Sequence, residues 1–266
     1  MRRLRRLVQK RSLRWSEGTC VLEGPDLVAA ALDSGQEFEA IYLDQAAEGD
    51  EAVAPVLARA ERQGVRCFTL ASGALARVAD ARTPQPILAA VRFRPGSLAD
   101  LPATGFTIVL HDVRDPGNCG TVIRSADAAG ADGVILTGQS VDPFNPKTLR
   151  ATAGSIFHLP VVVGDLGDAL DDLRGRGARV WAAVASGGTP LATVDLGGCS
   201  AVVIGNESAG LDADALAMCD ATLSIPMVGW SESLNLGVAA SLILFEALRQ
   251  REGPASQSAP PSLGGS

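Results

Sequence analysis

The stretch FTIVLHDVRDPGNCGTVIRSADAAGADGVILT (106–137) decides the fold class of this 266-residue chain. It opens with the unbroken apolar run 106–110, passes through a polar turn into a helical pattern at about 118–130, and closes with a second apolar run at 133–137. Unbroken apolar runs are typical of strands that are buried on both faces. Such strands alternating with helices predict an α/β domain built on a buried sheet.

The same alternation continues toward the C-terminus. It predicts strands at 161–163, 179–184, 201–205 and 221–225, with helices at about 146–154, 165–176 and 209–219. The segment NLGVAASLILFEALRQ (235–250) predicts a helix that is apolar nearly all round, with Leu244 taken as an outward position. A helix of that kind is buried within its own domain or against a partner subunit. The low-complexity segment 253–266 predicts a disordered tail.

Toward the N-terminus the pattern predicts a smaller α/β unit. A strand leading into a helix is expected at 19–32, a helix at 51–63, and further strands at 39–44, 65–70 and 86–93. A segment rich in Pro, Gly and Ala then reads as a linker. We therefore expect a first domain at 1–94, a linker at 95–105 and a second domain at 106–252.

Charge is distributed unevenly along the chain. The net charge is −7, but residues 1–94 sum to +2 and residues 95–266 to −9. Seven of the first 14 residues are basic and none is acidic: Arg2, Arg3, Arg5, Arg6, Lys10, Arg11 and Arg14. A basic arm on an acidic protein favours phosphate binding, since cations gain affinity for nucleic acid by releasing counterions. A frayed, solvated terminus is the alternative.

Composition also excludes several classes of protein. No apolar run approaches the roughly 18 residues that span a bilayer, and the basic N-terminus is not followed by a secretory signal pattern. We expect a soluble, cytoplasmic protein. Five scattered cysteines without a CxxC pair and only two histidines predict free thiols and no metal site. The scarcity of histidine also argues against a Ser-His-Asp or Cys-His hydrolase.

Three polar loops carry the chemistry, and each follows a predicted strand. They lie within 111–136, in IGNESAGL (204–211) and in SIPMVGWSESLNLGVAASLILFE (224–246). The second lacks the Lys-Ser/Thr pair of a phosphate-binding loop, and GNCGTVIR (117–124) is not a dinucleotide fingerprint. Each glycine taken singly is explained by a tight turn. Three such loops at the carboxyl ends of strands nevertheless predict one shared ligand site.

In this order the three segments resemble the sequence motifs of the SpoU/TrmH family of RNA 2′-O-ribose methyltransferases, within the SPOUT superfamily. The matching stretches are DPGNCGTVIRSADAAG (115–130), IGNESAGL (204–211) and IPMVGWSESLNLGVAAS (225–241), and the resemblance covers roughly 105–250. VLEGPDLVAAAL (21–32) and TPQPILAAV (83–91) are similar to the family's substrate-binding domain. That domain resembles ribosomal proteins that bind kinked RNA.

The resemblance implies a fold, an assembly and a cofactor. The C-terminal domain is expected to hold a deep trefoil knot, which general topology rules do not propose. The family works as homodimers, which gives the helix 235–250 an interface role. S-adenosylmethionine is expected to sit bent among the knot loops, contacted by backbone groups of Gly205, Ile225 and Leu234 and packed by Pro226 and Met227.

The resemblance also implies the catalytic residues, which are Arg124, Asn118, Glu207, Ser233 and Asn235. The family assigns activation of the 2′-hydroxyl to the arginine that matches Arg124. Because a guanidinium is a poor base at neutral pH, we favour a clamp on the neighbouring phosphate that also stabilises the developing alkoxide. Ser233 has helix capping as its alternative role. Three further cations are expected either to contact phosphate or to be ordinary surface charges: Arg114, Lys147 and Arg150.

These expectations converge on an RNA ribose 2′-O-methyltransferase that uses S-adenosylmethionine, needs no metal, binds no membrane and acts on ribosomal RNA, 23S or another. Three alternatives stay open at this point. The chain could act on transfer RNA, it could serve as a resistance determinant on the ribosome, or it could be a catalytically silent RNA-binding protein.

Overall fold

The computed structural model describes residues 1–78 and 84–252, and the predicted disordered tail at 253–266 lies outside the described residues. The N-terminal unit is a four-stranded sheet with helices on both faces. Its strands run in the order β1-β4-β2-β3, with β4 antiparallel to β1 and β2, and β3 parallel to β2. Its elements are α1 (Arg2–Gln9), α2 (Arg11–Glu17), β1 (Thr19–Glu23), α3 (Pro25–Asp33), β2 (Phe38–Asp44), α4 (Ala54–Arg62), β3 (Cys67–Leu70) and β4 (Ile87–Arg92).

The C-terminal unit is a seven-stranded sheet in which every paired strand is parallel. The strand order is β7-β6-β5-β10-β8-β11-β9, so β5 and β10 lie side by side near its centre. Its elements are β5 (Phe106–His111), α5 (Pro116–Ala128), β6 (Gly133–Thr137), α6 (Pro146–Thr152), β7 (Val161–Gly164), α7 (Leu166–Gly175), β8 (Arg179–Ala183), β9 (Thr189–Pro190), β10 (Ser200–Ile204), α8 (Ala213–Ala217), β11 (Ala221–Ser224) and α9 (Leu236–Glu252).

The predicted α/β alternation is confirmed in both units, and most strands start and end within two residues of the predicted bounds. Local sequence signals explain why some helices begin where they do. Pro25 stands at the first position of α3, where its missing N–H costs nothing, after Gly24 with a φ of 100°. Pro116 opens α5 in the same way, and the Asp115 side chain caps that helix by accepting from the Asn118 N–H at 2.8 Å.

The N-terminal residues are folded, so the alternative of a frayed terminus is wrong. Helices α1 and α2 cover one face of the first sheet and bury Leu4, Leu7 and Val8 there. Arg14 is only 2% exposed. The basic character of this segment therefore belongs to the outer surface of a packed helical layer.

Helix α9 also departs from the prediction in one respect. Leu244, taken above as an outward position, is fully buried, as are Ala240 and Ile243. The outward apolar side chains are Val238, Leu242 and Phe245, which are each about half exposed. Because the helix is apolar nearly all round, its sequence does not distinguish the inner face from the outer one.

A buried ion pair joins the two units. Arg14 donates from Nε and Nη2 to Asp142 Oδ2 at 2.8 and 2.5 Å, and the Trp15 indole N–H donates to Asp142 Oδ1 at 3.1 Å. Beside it Phe93 stacks on Phe144, with ring centroids 3.7 Å apart. The two units therefore meet through a desolvated, hydrogen-bonded contact.

The segment predicted as a linker also touches the C-terminal sheet. Gly96 forms an isolated parallel bridge with Val162 of β7, Leu98–Asp100 form a short 3-10 turn, and Leu101 is buried against the sheet. Within the described residues, no helix has both the length and the apolar character needed to cross a membrane.

Candidate functional site

Parallel pairing brings the three polar loops to one edge of the C-terminal sheet. Strand β5 ends at His111, β10 ends at Ile204 and β11 ends at Ser224, and each is followed directly by one of the three loops. Since parallel strands end at the same edge, the loops at 112–115 and 205–211 meet there with the segment 225–235.

Two asparagines and a glutamate link all three loops. The Asn118 side-chain NH2 donates to Glu207 Oε1 at 3.2 Å, and the Asn235 side-chain NH2 donates to Asn118 Oδ1 at 3.0 Å. Glu207 also accepts the backbone N–H groups of Arg114 at 3.1 Å and Asp115 at 2.9 Å. The structure thus brings together three of the five predicted catalytic residues, with Asn118 hydrogen-bonded to both Glu207 and Asn235.

The carboxylate of Glu207 is kept charged by this arrangement. Partial burial on its own would raise the pKa of Glu207, but the N–H groups of Asp115 and Arg114 and the Asn118 amide lower it below the ordinary value of a glutamate. The Glu207 carboxylate also accepts the Asn206 side-chain NH2 at 3.5 Å, and a carboxylate whose pKa is lowered and whose oxygens already accept four hydrogen bonds is a weak base. Its geometry suits it to hold the two neighbouring loops in place.

Sequence reasoning missed two residues that tie the same loops together. Asp112 has a positive φ of 55°, which is uncommon outside glycine, and its side chain accepts the Gln139 N–H at 2.5 Å. Its backbone carbonyl accepts the Asn206 side-chain NH2 at 2.9 Å. Asn206 Oδ1 in turn accepts from the N–H groups of Ser208 and Ala209. The positive φ of Asp112 is a property of the folded backbone, so the sequence offers no signal for these contacts.

A cavity of about 410 Å³ lies beside this cluster. Of the predicted cofactor residues, Gly205, Ile225, Met227 and Leu234 line it, whereas Pro226 is exposed and lies outside the lining. Ala183, the last residue of β8, and the two residues after it, Val184 and Ala185, also line it and were not predicted. They follow another strand of the same parallel sheet, so the strand-end rule could have found them.

Gly205 is required by the close approach of its own loop. A Cβ at this position would lie 2.3 Å from the backbone carbonyl of Gly210. Asn206 and Gly210 exchange two backbone hydrogen bonds of 2.9 Å, which fold the loop into a tight hairpin. The hairpin forms one wall of the cavity, so a larger residue at 205 would move that wall.

Asn235, and not Ser233, caps the start of α9. Its Oδ1 accepts the Val238 N–H at 3.3 Å. Ser233 lines the cavity instead, and its backbone carbonyl accepts the Ser231 hydroxyl. Between the cavity residues Met227 and Ser233 the chain bulges outward, leaving Val228 and Trp230 fully exposed.

Arg124 stands apart from the cluster. It lies six residues after Asn118 on α5, about 9 Å further along the helix axis, and its side chain is exposed. Among residues 1–78 and 84–252, nothing forms a hydrogen bond or ion pair with its guanidinium. One helical turn earlier, Thr121 borders the exposed apolar side chains of α9.

The three further cations differ from one another. Arg150 is paired with Glu23 of the first sheet at 2.6 Å, which makes it part of the contact between the two units. Arg114 is exposed and lies 4.0 Å from Asp112, and Lys147 already has an interaction of its own. Of the three, Arg114 has the greatest freedom to meet a phosphate. Within the described part of the chain, His, Cys, Asp and Glu form no group of three or more that could hold a metal.

Comparison with protein families identifies both units. Residues 105–245 match the SpoU rRNA methylase family, and residues 1–89 match the MRM3-like substrate-binding domain. The 23S rRNA (guanosine(2553)-2′-O)-methyltransferase RlmP of Bacillus subtilis is 37% identical over 233 residues, which cover 87% of this chain and 89% of the relative.

Solved structures agree over nearly the whole length. An AdoMet-bound rRNA methyltransferase from Sinorhizobium meliloti superposes with a TM-score of 0.81 and 32% identity, covering 92% of each chain. The SpoU methyltransferase AviRb from Streptomyces viridochromogenes, in complex with AdoMet, gives a TM-score of 0.83 with 29% identity, covering 94% of this chain and 98% of that one.

Proposed function

This chain belongs to the SpoU rRNA methylase family, and we propose that it is an S-adenosylmethionine-dependent methyltransferase that modifies the 2′-hydroxyl of a ribose in ribosomal RNA, with 23S rRNA the first candidate. The observation that carries the proposal is the meeting of the three loops around the Asn118–Glu207–Asn235 cluster, beside a cavity at the same sheet edge. The relatives' names, which specify ribosomal RNA, favour it over transfer RNA. An rRNA substrate also favours a cytoplasmic location.

The cavity suits the cofactor in size and in chemistry. Its volume lies within the range of about 300–1,000 Å³ that is usual for small-molecule sites, and most of the side chains that surround it are apolar. When bound, S-adenosylmethionine supplies a methyl group carried on a positively charged sulfur. We assign its adenosine to the backbone groups of Gly205 and Ile225, which directly follow β10 and β11, and of Leu234, which lies just before α9. Met227 packs beside them.

Positioning is the task of the hydrogen-bonded cluster. Glu207 holds the loop after β5 through two backbone N–H groups, and Asn235 fixes the amide of Asn118 so that its orientation does not vary. Holding reacting groups in register removes much of the entropic barrier of a two-substrate reaction. The anionic Glu207 also balances positive charge near the site.

Arg124 is the residue that we assign to the RNA. An exposed guanidinium without a partner in the described structure is available to bind a phosphate through two N–H groups at once. A phosphate beside the target ribose would place the guanidinium close to the 2′-oxygen. There it stabilises the negative charge that develops as the hydroxyl loses its proton.

We also propose that the enzyme works as a homodimer. Val238, Leu242 and Phe245 recur at helical spacing on α9 and leave an apolar stripe in contact with solvent, bordered by Thr121 of α5. Contiguous exposed apolar surface of this kind marks association sites. Light scattering tests the assembly, and Leu242→Glu should yield monomers whereas Ala58→Glu, at an exposed position of α4 in the N-terminal unit, should not.

Two further features of the fold belong to the proposal. The deep trefoil knot is supported by the way the hairpin at 205–211 and the segment 225–235 share one cavity, after which α9 packs on α5. An N-terminal domain at 1–94 that recognises RNA, similar to ribosomal proteins that bind kinked RNA, is supported by its match to a substrate-binding domain. A crystal structure of the dimer with RNA would test both.

The function is tested with purified protein, S-adenosylmethionine and ribosomal RNA transcripts, followed by nucleoside mass spectrometry. We expect a 2′-O-methylnucleoside in digests from the wild type. Gly205→Ala should lose the product and the affinity for S-adenosylhomocysteine, because its Cβ meets Gly210. Gly198→Ala is the matched control, since nothing lies within 4 Å of a Cβ there.

Calorimetry with S-adenosylhomocysteine separates an enzyme from a silent RNA-binding protein. A wild type that binds the cofactor product but yields a base-methylated nucleoside would contradict the ribose assignment. A wild type that binds RNA and no S-adenosylhomocysteine would contradict the enzymatic proposal altogether.

A further inference from the structure

Two aromatic rings stack on the surface of the N-terminal sheet, and both are distant in sequence from the candidate methylation site. Tyr42 of β2 and Phe68 of β3 are direct cross-strand neighbours, with ring centroids 5.8 Å apart and planes inclined by 22°. Both rings face the side of the sheet that α1 covers, where Tyr42 packs at the border of the cluster formed by Leu4, Leu7 and Leu88.

The covering layer stops before it reaches the outer ring. Strand β3 is an edge strand, and Phe68 remains 46% exposed. A second cover over this face, the 3-10 turn Leu75–Arg77, buries Leu75 and leaves Phe68 in contact with solvent. Phe68 therefore presents its ring to solvent at the edge of the sheet, and stacking on Tyr42 fixes the orientation of that ring.

Exposed arginines on the same side of the sheet as Phe68 could bind the phosphates of a polyanion. Arg66 lies two residues before Phe68 on the same face, is exposed, and uses one N–H on the backbone carbonyl of Glu39. Within the described ranges, four further exposed arginines of the two covering segments have no carboxylate partner: Arg2, Arg5, Arg6 and Arg77.

The acidic side chains of β2, by contrast, are already engaged. Glu39 is bound by Arg3 and Arg92, and Asp44 accepts the backbone N–H groups of Ala46 and Gly73. Neither carboxylate forms an ion pair with Arg2, Arg5, Arg6 or Arg77, so these exposed arginines are available to phosphates although the net charge of the chain is −7.

We propose that Phe68, backed by Tyr42 and flanked by Arg66, is a stacking platform for an unpaired base of the RNA, an inference that rests on the proposed function. Proteins recognise single-stranded RNA by stacking bases on aromatic rings and contacting phosphates with nearby cations. The platform supplies both groups, the ring on β3 and the cation two residues before it. Its ligand class is a single-stranded RNA segment, such as a loop or bulge of the substrate.

An exposed edge strand with an apolar side chain also suits a second copy of the chain, which would pair with β3. Charge favours RNA over that occupant. Two copies meeting at this margin would bring Arg66 of each against the other, whereas phosphates complement the arginines.

The test measures binding of a fluorescein-labelled ten-nucleotide oligoadenylate and of a ten-base-pair RNA duplex by anisotropy at fixed salt. Phe68→Ala should weaken oligoadenylate binding about 5- to 140-fold, equivalent to about 1–3 kcal/mol at 1.4 kcal/mol per factor of ten, and leave duplex binding unchanged. Phe68→Trp should retain full affinity, while Phe68→Leu, which keeps apolar bulk without a ring, should behave like Phe68→Ala. Thr69→Ala, the next residue on β3, is the matched control.

Separate measurements distinguish failure of the stacking platform from failure of the proposed methyltransferase function. Oligoadenylate binding by Phe68→Ala or Phe68→Leu equal to that of the wild type would overturn the platform, even with cofactor binding and methylation intact. A change of oligomeric state in Phe68→Ala, seen by light scattering, would assign the surface to a second copy instead. Loss of S-adenosylhomocysteine binding in the wild type would instead contradict the proposed function.

Discussion

Arg14 and Arg124 carry the same side chain in opposite surroundings. Arg14 is buried where the two units meet, with donors on Asp142 and on the carbonyls of Leu7 and Val8. Arg124 is exposed on α5 and has no polar partner among the described residues. A count of basic residues therefore does not identify those that bind RNA. A cation whose donors are all used stabilises the fold, and a cation whose donors are free is available to the substrate.

Removing Arg14 should have the largest effect, which is a loss of folding stability. Truncation leaves Asp142 buried without its cation, which costs about 3–5 kcal/mol in comparable pairs. We expect Arg14→Ala to lower the free energy of unfolding by that amount in urea titrations. The folded fraction should still bind S-adenosylhomocysteine.

Arg6→Ala is the control for this variant, because Arg6 is exposed on the neighbouring helix, and it should change stability by less than about 0.5 kcal/mol. Equal stability of Arg14→Ala and Arg6→Ala would contradict the stabilising role of the buried Arg14.

Removing Arg124 should affect catalysis and leave stability alone. Loss of a group that stabilises charge in the transition state costs about 10²–10³-fold in rate, so Arg124→Ala should lose that much methyl transfer. Its affinity for S-adenosylhomocysteine and its unfolding midpoint should match the wild type. Rates are measured by incorporation of labelled methyl groups into RNA.

Arg62→Ala, which removes an exposed arginine from α4, is the matched control and should turn over normally. An Arg124→Ala protein that keeps its turnover would remove the assigned role. Parallel loss of cofactor affinity and turnover would place Arg124 in the cofactor site.

The cluster at the start of α5 should act as one unit, in contrast to the isolated Arg124. The Asn118 and Asn235 amides contact each other, so their effects on turnover should not add. We expect a coupling energy of about 0.5–3 kcal/mol between Asn118→Ala and Asn235→Ala in a double-mutant cycle. Additive effects would show that the two amides work independently.

The smallest expected effect concerns the outer face of α1. Deleting residues 1–14 would remove buried Leu4 and Leu7 together with Arg14, so it would confound RNA affinity with folding. Substituting Arg5 and Arg6 by Ala avoids this because both are exposed. If each arginine contacts one phosphate, the slope of log affinity against log salt should become shallower by about 1.4–1.8. An unchanged slope would show that this face of α1 does not touch RNA.

The α/β alternation could be predicted because apolar strand runs and Pro–Gly punctuation are local signals. The helical layer at residues 2–17 was missed although Leu4, Leu7 and Val8 have helical spacing, because seven cations dominate the first 14 residues. Spacing of this kind indicates an amphipathic helix whatever the charge of its outer face. The misplaced Leu244 has another cause, since a helix that is apolar all round carries no directional signal.

For the site, motif order predicted which residues meet but not how they bond. Asn118, Glu207 and Asn235 were expected at one site, and their hydrogen bonds join them there. The strained Asp112 and the bond from Asn206 to its carbonyl depend on how β5 and β10 align, which no single segment encodes. The exposure of Pro226 likewise follows from the path of a loop.

Mapping ribose methylation across total RNA reveals whether this chain places a methyl group on one ribose of ribosomal RNA. Cells with and without the gene are compared by resistance of each position to alkaline cleavage, with complementation by the wild type and by Arg124→Ala. We expect one rRNA position to lose its 2′-O-methyl group in the deletion strain, to regain it with the wild type, and to stay unmethylated with Arg124→Ala. An unchanged rRNA map, or a change confined to transfer RNA, would contradict this expectation.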